Sequence, residues 1–436
     1  MLPPEKGDQN VEEQWLSGGG QAMSYRHGVY TREVPSSLLP PVRCEVSLPV
    51  VVSVAPVQTL PSAVERPVNK PVLIYTPEEG AAAFGSLPDG ANKSDYPILQ
   101  ALEIYLSRYH MAPICVINVF DPEKHVDEQD QPDVSKVTAA DIIGGIDAVT
   151  GSRKGLELVN EVFPRFRVVP GQIIAPGFSD DPAVALAIGA KCANISGHFN
   201  CIGIADIPSD VAYTEAAAWV QDNNLTDKNL TIFFGRPVFN LEEEFGSIHW
   251  AGITAQRDSE NENIPYWSPS NKRMLANGMA HGGKELMLDP LQAASLNGNG
   301  IVTGLSFVGG MVGWGNRTAA YPGVTDVKDT FIPIRRMFNF VGNTLVLTAW
   351  QLVDRPLNRR LAGTVCDTFN VWLNGLARRE FILGGRCEFL GLENPTTDIM
   401  DGIARFHVFM TPPSPGRELE FIQEYDPNYI STLFAA

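Results

Sequence analysis

Six short apolar runs set the tightest limit on the fold: Val50–Val54, Val72–Tyr75, Ile114–Phe120, Val168–Ile174, Ile202–Ile207 and Thr231–Phe239. Most are continuously apolar rather than alternating, the pattern of strands buried on both faces. Helical patterns lie between several of them. Ile98, Leu102, Tyr105, Leu106 and Tyr109 share one helical face, with Asp95 placed as a cap and Pro97 in the first turn. Further helices are predicted at Lys154–Val162, Pro182–His198 and Thr214–Asp222. Buried strands alternating with helices predict an α/β core built on a largely parallel sheet with flanking helices.

A second unit is predicted after Thr330. Leu357, Leu361, Val365, Phe369, Trp372 and Leu376 recur every three or four residues, which predicts one amphipathic helix opened by Pro356. Arg359, Arg360 and Arg378 fall on its opposite side. Phe381–Leu383 and Cys387–Leu390 bracket a turn at Gly384-Gly385, and Ile403–Met410 alternates as a strand. Together these predict a smaller α+β C-terminal domain, and at 436 residues two domains suit the length. Each end of the chain carries a short strand on a proline leash. Val29, Tyr30, Thr31, Arg32 and Glu33 precede Pro35, Pro40 and Pro41; Leu419, Glu420, Phe421 and Ile422 follow Pro412, Pro413 and Pro415. A leashed strand has no face of its own to bury, so both predict extended arms that add to sheet edges of other chains. The expected organisation is a disordered leader over 1–22, an N-terminal arm over 23–44, the α/β core over 45–330, the α+β domain over 331–410 and a C-terminal arm over 411–436.

Enzyme chemistry fails on spacing. The Gly-rich stretch from Ile301 has no lysine after its glycines, so it is no P-loop. Gly298-Asn299-Gly300 is followed by Gly304, one residue too late for a dinucleotide fingerprint. Gly304 to Gly309 is one residue too long for a nucleophile elbow. No Asp, His and Ser stand in triad context, so no catalytic residue and no cofactor site is assigned. The cysteines at 44, 115, 192, 201, 366 and 387 form no CxxC and no zinc spacing with histidine, so no metal ligand is assigned and reduced thiols are expected. Asp121, Asp127, Asp130 and Asp133 lack calcium-loop spacing. A formal charge of −17 argues against nucleic acid as a partner. The longest apolar stretch, Leu48–Val57, is broken by Pro49 and Pro56 and is too short to insert stably in a membrane. Phe331–Leu390 holds eight Arg, no Lys and four acidic residues, so it is +4 and the rest of the chain −21. Such a window predicts an acidic neighbour.

Five segments in order carry a resemblance. Ser152–Glu157 with Val162-Phe163-Pro164 comes first, then His249-Trp250-Ala251-Gly252-Ile253 running on into TAQRD and YWSPSNKRM. VGGMVGWGNRTAAYP with FIPIRRMFNFV follows, then Trp372–Asn394 and the Pro-rich Pro412–Phe421. From Tyr25 onward the chain resembles the contractile tail sheath family of myovirus-type phage tails, R-type pyocins and related injection systems. The resemblance implies a non-enzymatic subunit that polymerises by exchanged arms into stacked rings around an inner tube. It also implies contraction that drives the tube through a target envelope. The implied partners are identical subunits, the inner tube protein, baseplate and terminator proteins, and the implied place is the virion tail, assembled in the host cytoplasm. Arg359 and Arg360 are the expected tube-facing residues. The alternatives are a cytosolic hydrolase-like α/β enzyme and a shell protein that does not contract.

Overall fold

The computed structural model describes residues 40–434. The expected leader and the arm residues Val29, Tyr30, Thr31, Arg32 and Glu33 lie outside the described residues. The described residues belong to one compact unit.

The apolar runs become a single large sheet. Its strands in chain order are β1 (Pro49–Ser53), β2 (Pro71–Ile74), β3 (Ile114–Asn118), β4 (Gln172–Ile174), β5 (Ile202–Asp206) and β6 (Leu230–Phe234). After β6 the chain leaves this sheet for β7 (Arg236–Phe239), touches its edge at Lys272–Arg273, leaves again for β8 (Gly278–His281), then returns as β9 (Ile301–Ser306) and β10 (Met311–Trp314). Lys272–Arg273, β10, β9, β6, β5, β4, β1, β3 and β2 lie side by side in that order. From β9 to β3 every pairing is parallel, while β2 on one side, and β10 followed by Lys272–Arg273 on the other, are added antiparallel. β1, β3, β5 and β6 are buried at every residue, as strands covered on both faces must be. The expected mixed α/β architecture with a mainly parallel sheet is therefore present.

Several local expectations are corrected. The run Thr231–Phe239 is two strands, because Gly235 takes φ +90° and turns the chain into a second sheet. A Cβ there would also meet Met279 Cε at 2.8 Å. Asp95 does not cap the helix; it closes a preceding turn in which its carboxylate accepts from the Asn92 N–H at 3.1 Å. The helix after Pro97, α1 (Pro97–Leu102), widens into a π-helical segment over Glu103–Arg108 that keeps Tyr105 and Tyr109 buried. Lys154–Val162 is a tight helix over Gly155–Glu161 followed by a short α-turn. The helix predicted to His198 ends at Ala193 (α2, Pro182–Ala193).

The chain beyond 330 is bolted to this core. α3 (Gly246–Ser259) lies against the sheet, α4 (Pro290–Asn297) packs against β9, and α5 (Ile332–Ala349) bonds to the residues that lead into β1 and β5. α5 presents a polar ladder inward. Asn339 donates to the Cys201 carbonyl (3.0 Å), and Asn343 donates to the Asn200 carbonyl (2.8 Å) while accepting the Asn200 N–H (3.0 Å). Thr348 accepts the Val42 N–H (3.0 Å). The expected seam at 330/331 is also crossed by Arg336, whose guanidinium grips Asp258 of α3 with both groups almost wholly buried. α6 (Arg359–Arg378) is the predicted amphipathic helix, but Asn358 rather than Pro356 starts it, accepting the Leu361 N–H at 2.9 Å. Gly384-Gly385 is no turn. Both have negative φ and open a strand, β11 (Gly384–Glu388), which pairs antiparallel with β12 (His407–Thr411).

Removing one partner of a buried ion pair strands the other charge and costs about 3–5 kcal/mol, whereas replacing both with apolar groups is often near neutral. Arg336→Met and Asp258→Leu are each expected to lower unfolding stability by about that amount, and the double variant to recover most of it. Chemical denaturation of the three proteins measures this directly.

Candidate assembly surface

The β11–β12 ribbon sits on α6 with one face down. Cys387 is buried, Phe406, Val408 and Met410 pack toward the core, and α6 supplies Trp372, Leu373 and Leu376 beneath. The upper face carries Arg386, His407 and Phe409. The Arg386 guanidinium lies 3.9 Å over the Phe409 ring, and His407 stacks on Phe409 at 4.0 Å while bonding Glu393 at 2.6 Å. The two outer edges differ. Asn370 of α6 accepts the Cys387 N–H at 2.7 Å and donates to its carbonyl at 3.0 Å, so the side chain takes the place of a neighbouring strand beside β11. Among the described residues no strand pairs with the outer edge of β12. An edge left open in this way accepts a further strand.

The chain leaves β12 directly into Pro412 and Pro413. The predicted strand residues Leu419, Glu420, Phe421 and Ile422 form no strand with any of the described residues. Leu419, Phe421 and Ile422 are 78%, 84% and 89% exposed.

The basic window divides by partner. Arg335 pairs with Asp329, Arg336 with Asp258, Arg379 with Glu262 and Arg386 with Glu388. Arg355, Arg359, Arg360 and Arg378 are exposed and have no ion pair among the described residues. The two arginines singled out from the sequence thus stand together at the first turn of α6, which lacks acidic side chains of its own.

The Gly-rich signature is a β-hairpin. Gly309 and Gly310 take φ +84° and +99° at its tip, and Gly313 lies where a Cβ would meet the Trp250 ring at 2.9 Å. Trp250 belongs to the HWAGI segment and Gly313 to the GMVGWGNR segment, so one motif seats the other. Beyond the hairpin, Trp314 and Arg317 line a cavity of about 640 Å³ with Trp267 and Ser270, and the tail residues Pro413 and Arg417 form its remaining wall.

A buried polar chain that sequence reasoning missed runs through His249, the residue before Trp250. The Tyr109 hydroxyl bonds His249 Nδ1 (3.0 Å) and accepts the Leu275 N–H (3.1 Å). His249 Nε2 meets Glu244 (2.8 Å), and Glu244 is gripped by both terminal nitrogens of Arg108, one of them at 2.8 Å. Burial would raise the Glu244 pKa, but the hydrogen bonds from His249 and Arg108 outweigh it and hold the carboxyl below its ordinary value. Burial pushes His249 below its ordinary value, against the pull of Glu244. Among the described residues no group of His, Cys, Asp or Glu could hold a metal ion, and no helix is long and apolar enough to cross a membrane. His198, between Cys192 and Cys201 in the sequence, meets the Trp350 ring edge-on at 5.1 Å.

No family model matches the chain. It is 27% identical over 318 residues to the tail sheath protein of Burkholderia phage BcepMu, covering 70% of this chain and 65% of that protein, just under two thirds of its length. It is 26% identical to a putative prophage major tail sheath protein of Pseudomonas aeruginosa, covering 72% and 75% of the two chains. The major tail sheath protein of Serratia phage KSP20 is also 26% identical, covering 70% and 75%. Among solved structures, a chain of the anti-feeding prophage baseplate superposes with a TM-score of 0.64 at 17% identity, covering 92% of this chain and 99% of that one. A chain of the contracted sheath complex of the extracellular contractile injection system PVC gives 0.66 at 14% identity, covering 93% and 99%. The likeness to contractile tail sheaths carried by the five sequence segments is thus found again in relatives and in fold. These relatives bear the names of structural proteins, not of enzymes.

The buried chain fixes an acid sensitivity. The ordinary pKa of His249 is 6.5, and the folded protein holds it lower. An unfolded chain therefore takes up a proton that the folded one refuses, and the stability present above pH 6.5 is lost as pH falls below that value. Glu244, held below its ordinary 4.5, adds a loss of the same sign at lower pH. His249→Gln is expected to be less stable at neutral pH but to lose less between about pH 7 and pH 5. Denaturation midpoints across that range test it.

Proposed function

We propose that this chain is the structural sheath subunit of a contractile phage tail or related injection device. The observation that carries the reading is the open edge of β12, which runs straight into an exposed tail that finds no strand partner among the described residues. The tail, through Leu419, Glu420, Phe421 and Ile422, adds a strand to the ribbon of a second copy, and the N-terminal segment Val29–Glu33 does the same at another contact. A contact between two different surfaces repeats from copy to copy and generates rings or open helices. Main-chain hydrogen bonds then give the joint its strength, and the leashes let body and joint move separately. The α6 and β11–β12 region is the jointing unit and the large sheet the body.

In this reading the rings stack around an inner tube, with baseplate and terminator proteins at the two ends. The assembly is made in the host cytoplasm and works as part of a virion tail or an equivalent device. Contraction draws its energy from new contacts between bodies, so neither nucleotide nor metal is consumed. Arg359 and Arg360 face an acidic tube surface. Exposed pairs at about 0–1 kcal/mol each are weak enough to release on contraction, yet repetition along the tube still sets register.

Deleting Gly416–Ala436, or Met1–Pro35, is expected to leave the circular dichroism spectrum of the core intact and to abolish pelleting of polymers in the ultracentrifuge. Long rods formed by either truncated protein would contradict strand exchange. Arg359→Glu with Arg360→Glu is expected to give protein that still polymerises alone but no longer coats tubes, and native coating should weaken as salt shortens the reach of exposed charges. A reversed protein that fails to polymerise without a tube, or that coats tubes normally, would place these arginines elsewhere.

A further inference from the structure

The cavity beside the signature hairpin has two cations and, among the described residues, no carboxylate in its lining. Arg317 is held from behind. Its guanidinium lies 3.7 Å over the Phe331 ring and 4.4 Å over Tyr321, and Nη1 donates to Thr330 Oγ1 at 2.9 Å. None of these partners carries negative charge. Burial lowers the Arg317 pKa, and the nearby positive charge of Arg417 acts in the same direction. Arg417 itself touches Glu418 at 3.0 Å, a pair exposed by 62% and 72% and so of little strength. Tyr266, Trp267 and Trp314 supply flat apolar walls. In a chain of net charge −17, two arginines facing one hollow without an acid are a localised deficit of negative charge.

The stretch Glu418–Asp426 has the complementary chemistry. It contains Glu418, Glu420, Glu424 and Asp426 and no basic residue, interleaved with Leu419, Phe421, Ile422 and Tyr425. All of it is exposed, so in this chain its acids stand outside the cavity whose wall it leaves at Arg417. We infer that the cavity receives a carboxylate side chain from the Glu418–Asp426 stretch of a second copy of this chain. Arg guanidinium and carboxylate form paired, charge-assisted hydrogen bonds, and the aromatic walls cover the neighbouring apolar side chain. Because Arg417 stands at the root of the chain's own arm, a carboxylate between Arg317 and Arg417 clamps that root to the body. A subunit that has received an arm then presents its own arm from a fixed direction. The inference rests on the polymer reading but is separable from it.

The test uses the full-length protein at a dilution where it does not pellet. A dye-labelled peptide of the sequence Glu418–Asp426 is titrated by fluorescence anisotropy, beside a neutral peptide with Gln and Asn at its four acidic positions. The acidic peptide is expected to bind more weakly as salt rises, and the neutral peptide to bind about tenfold more weakly, the scale of one lost charge-assisted hydrogen bond. Arg417→Gln, an exposed substitution that leaves the core untouched, is expected to weaken the acidic peptide by a similar factor and the neutral peptide not at all. Arg417→Lys should restore part of the loss. Equal binding of the two peptides, no binding of either, or no effect of Arg417→Gln would overturn the inference. Rods formed by Arg417→Gln leave the polymer reading standing whatever the peptides do; rods formed by the tail-deleted protein overturn that reading instead.

Discussion

The ion pair between Arg336 and Asp258 is the constraint on which the rest of the structure depends. Arg336 also donates to the Val46 carbonyl at 3.3 Å, and Asp258 accepts the Ser47 hydroxyl at 2.9 Å. Three separate stretches therefore meet at one dry point: the lead-in to β1, the end of α3 and the second turn of α5. Charges removed from water tolerate one arrangement of their hydrogen-bonding partners and penalise others heavily. That makes the pair a poor source of net stability and a strong source of specificity for where α5 crosses the core. The Asn and Thr ladder on the same helix extends the constraint to Asn200, Cys201 and Val42.

From that anchor the assembly surface follows. With α5 fixed, the short connection through Leu352 delivers α6 against the core, and α6 in turn holds the β11–β12 ribbon by Trp372, Leu373, Leu376 and the Asn370 amide. Only one side of the ribbon is closed by Asn370. On the proposed reading that asymmetry selects β12 as the strand offered to another chain, and β12 runs directly into the root of the tail. A rigid body that presents one open edge and one leashed strand is the minimum a subunit needs to propagate a helical polymer.

How much of this was legible in the sequence depended on the range of each interaction. The apolar runs gave the buried parallel strands because a strand covered on both faces must be apolar throughout, and each run declares this locally. The amphipathic period of α6 was legible because a helix covered on one side repeats its apolar residues every three or four positions. Asp95 misled because its turn and the helix after it share a boundary, and only the backbone shows which of them its carboxylate closes. Gly384-Gly385 misled because glycine marks a turn only where φ is positive, and here it is not. The partnership of Arg336 with Asp258 spans 78 residues, and that of Tyr109 with His249 spans 140. No pattern within one segment encodes such contacts. Arg336 sits inside the largely apolar FIPIRRMFNFV motif, whereas Asp258 lies among Gln256, Arg257, Ser259 and Glu260, where nothing local sets it apart. Periodicity places Arg359 and Arg360 on the polar side of α6, where both are exposed, whereas what that face meets is a property of a second molecule.

The most direct measurement of the central claim is a cryo-electron microscopy map of the purified full-length protein at a concentration where it self-associates. Hollow cylinders of stacked rings are expected, in which density for Leu419–Ile422 of one copy lies as an added strand against β12 of the next. Particles of single copies, closed shells, or cylinders in which each tail folds back on its own ribbon would contradict it.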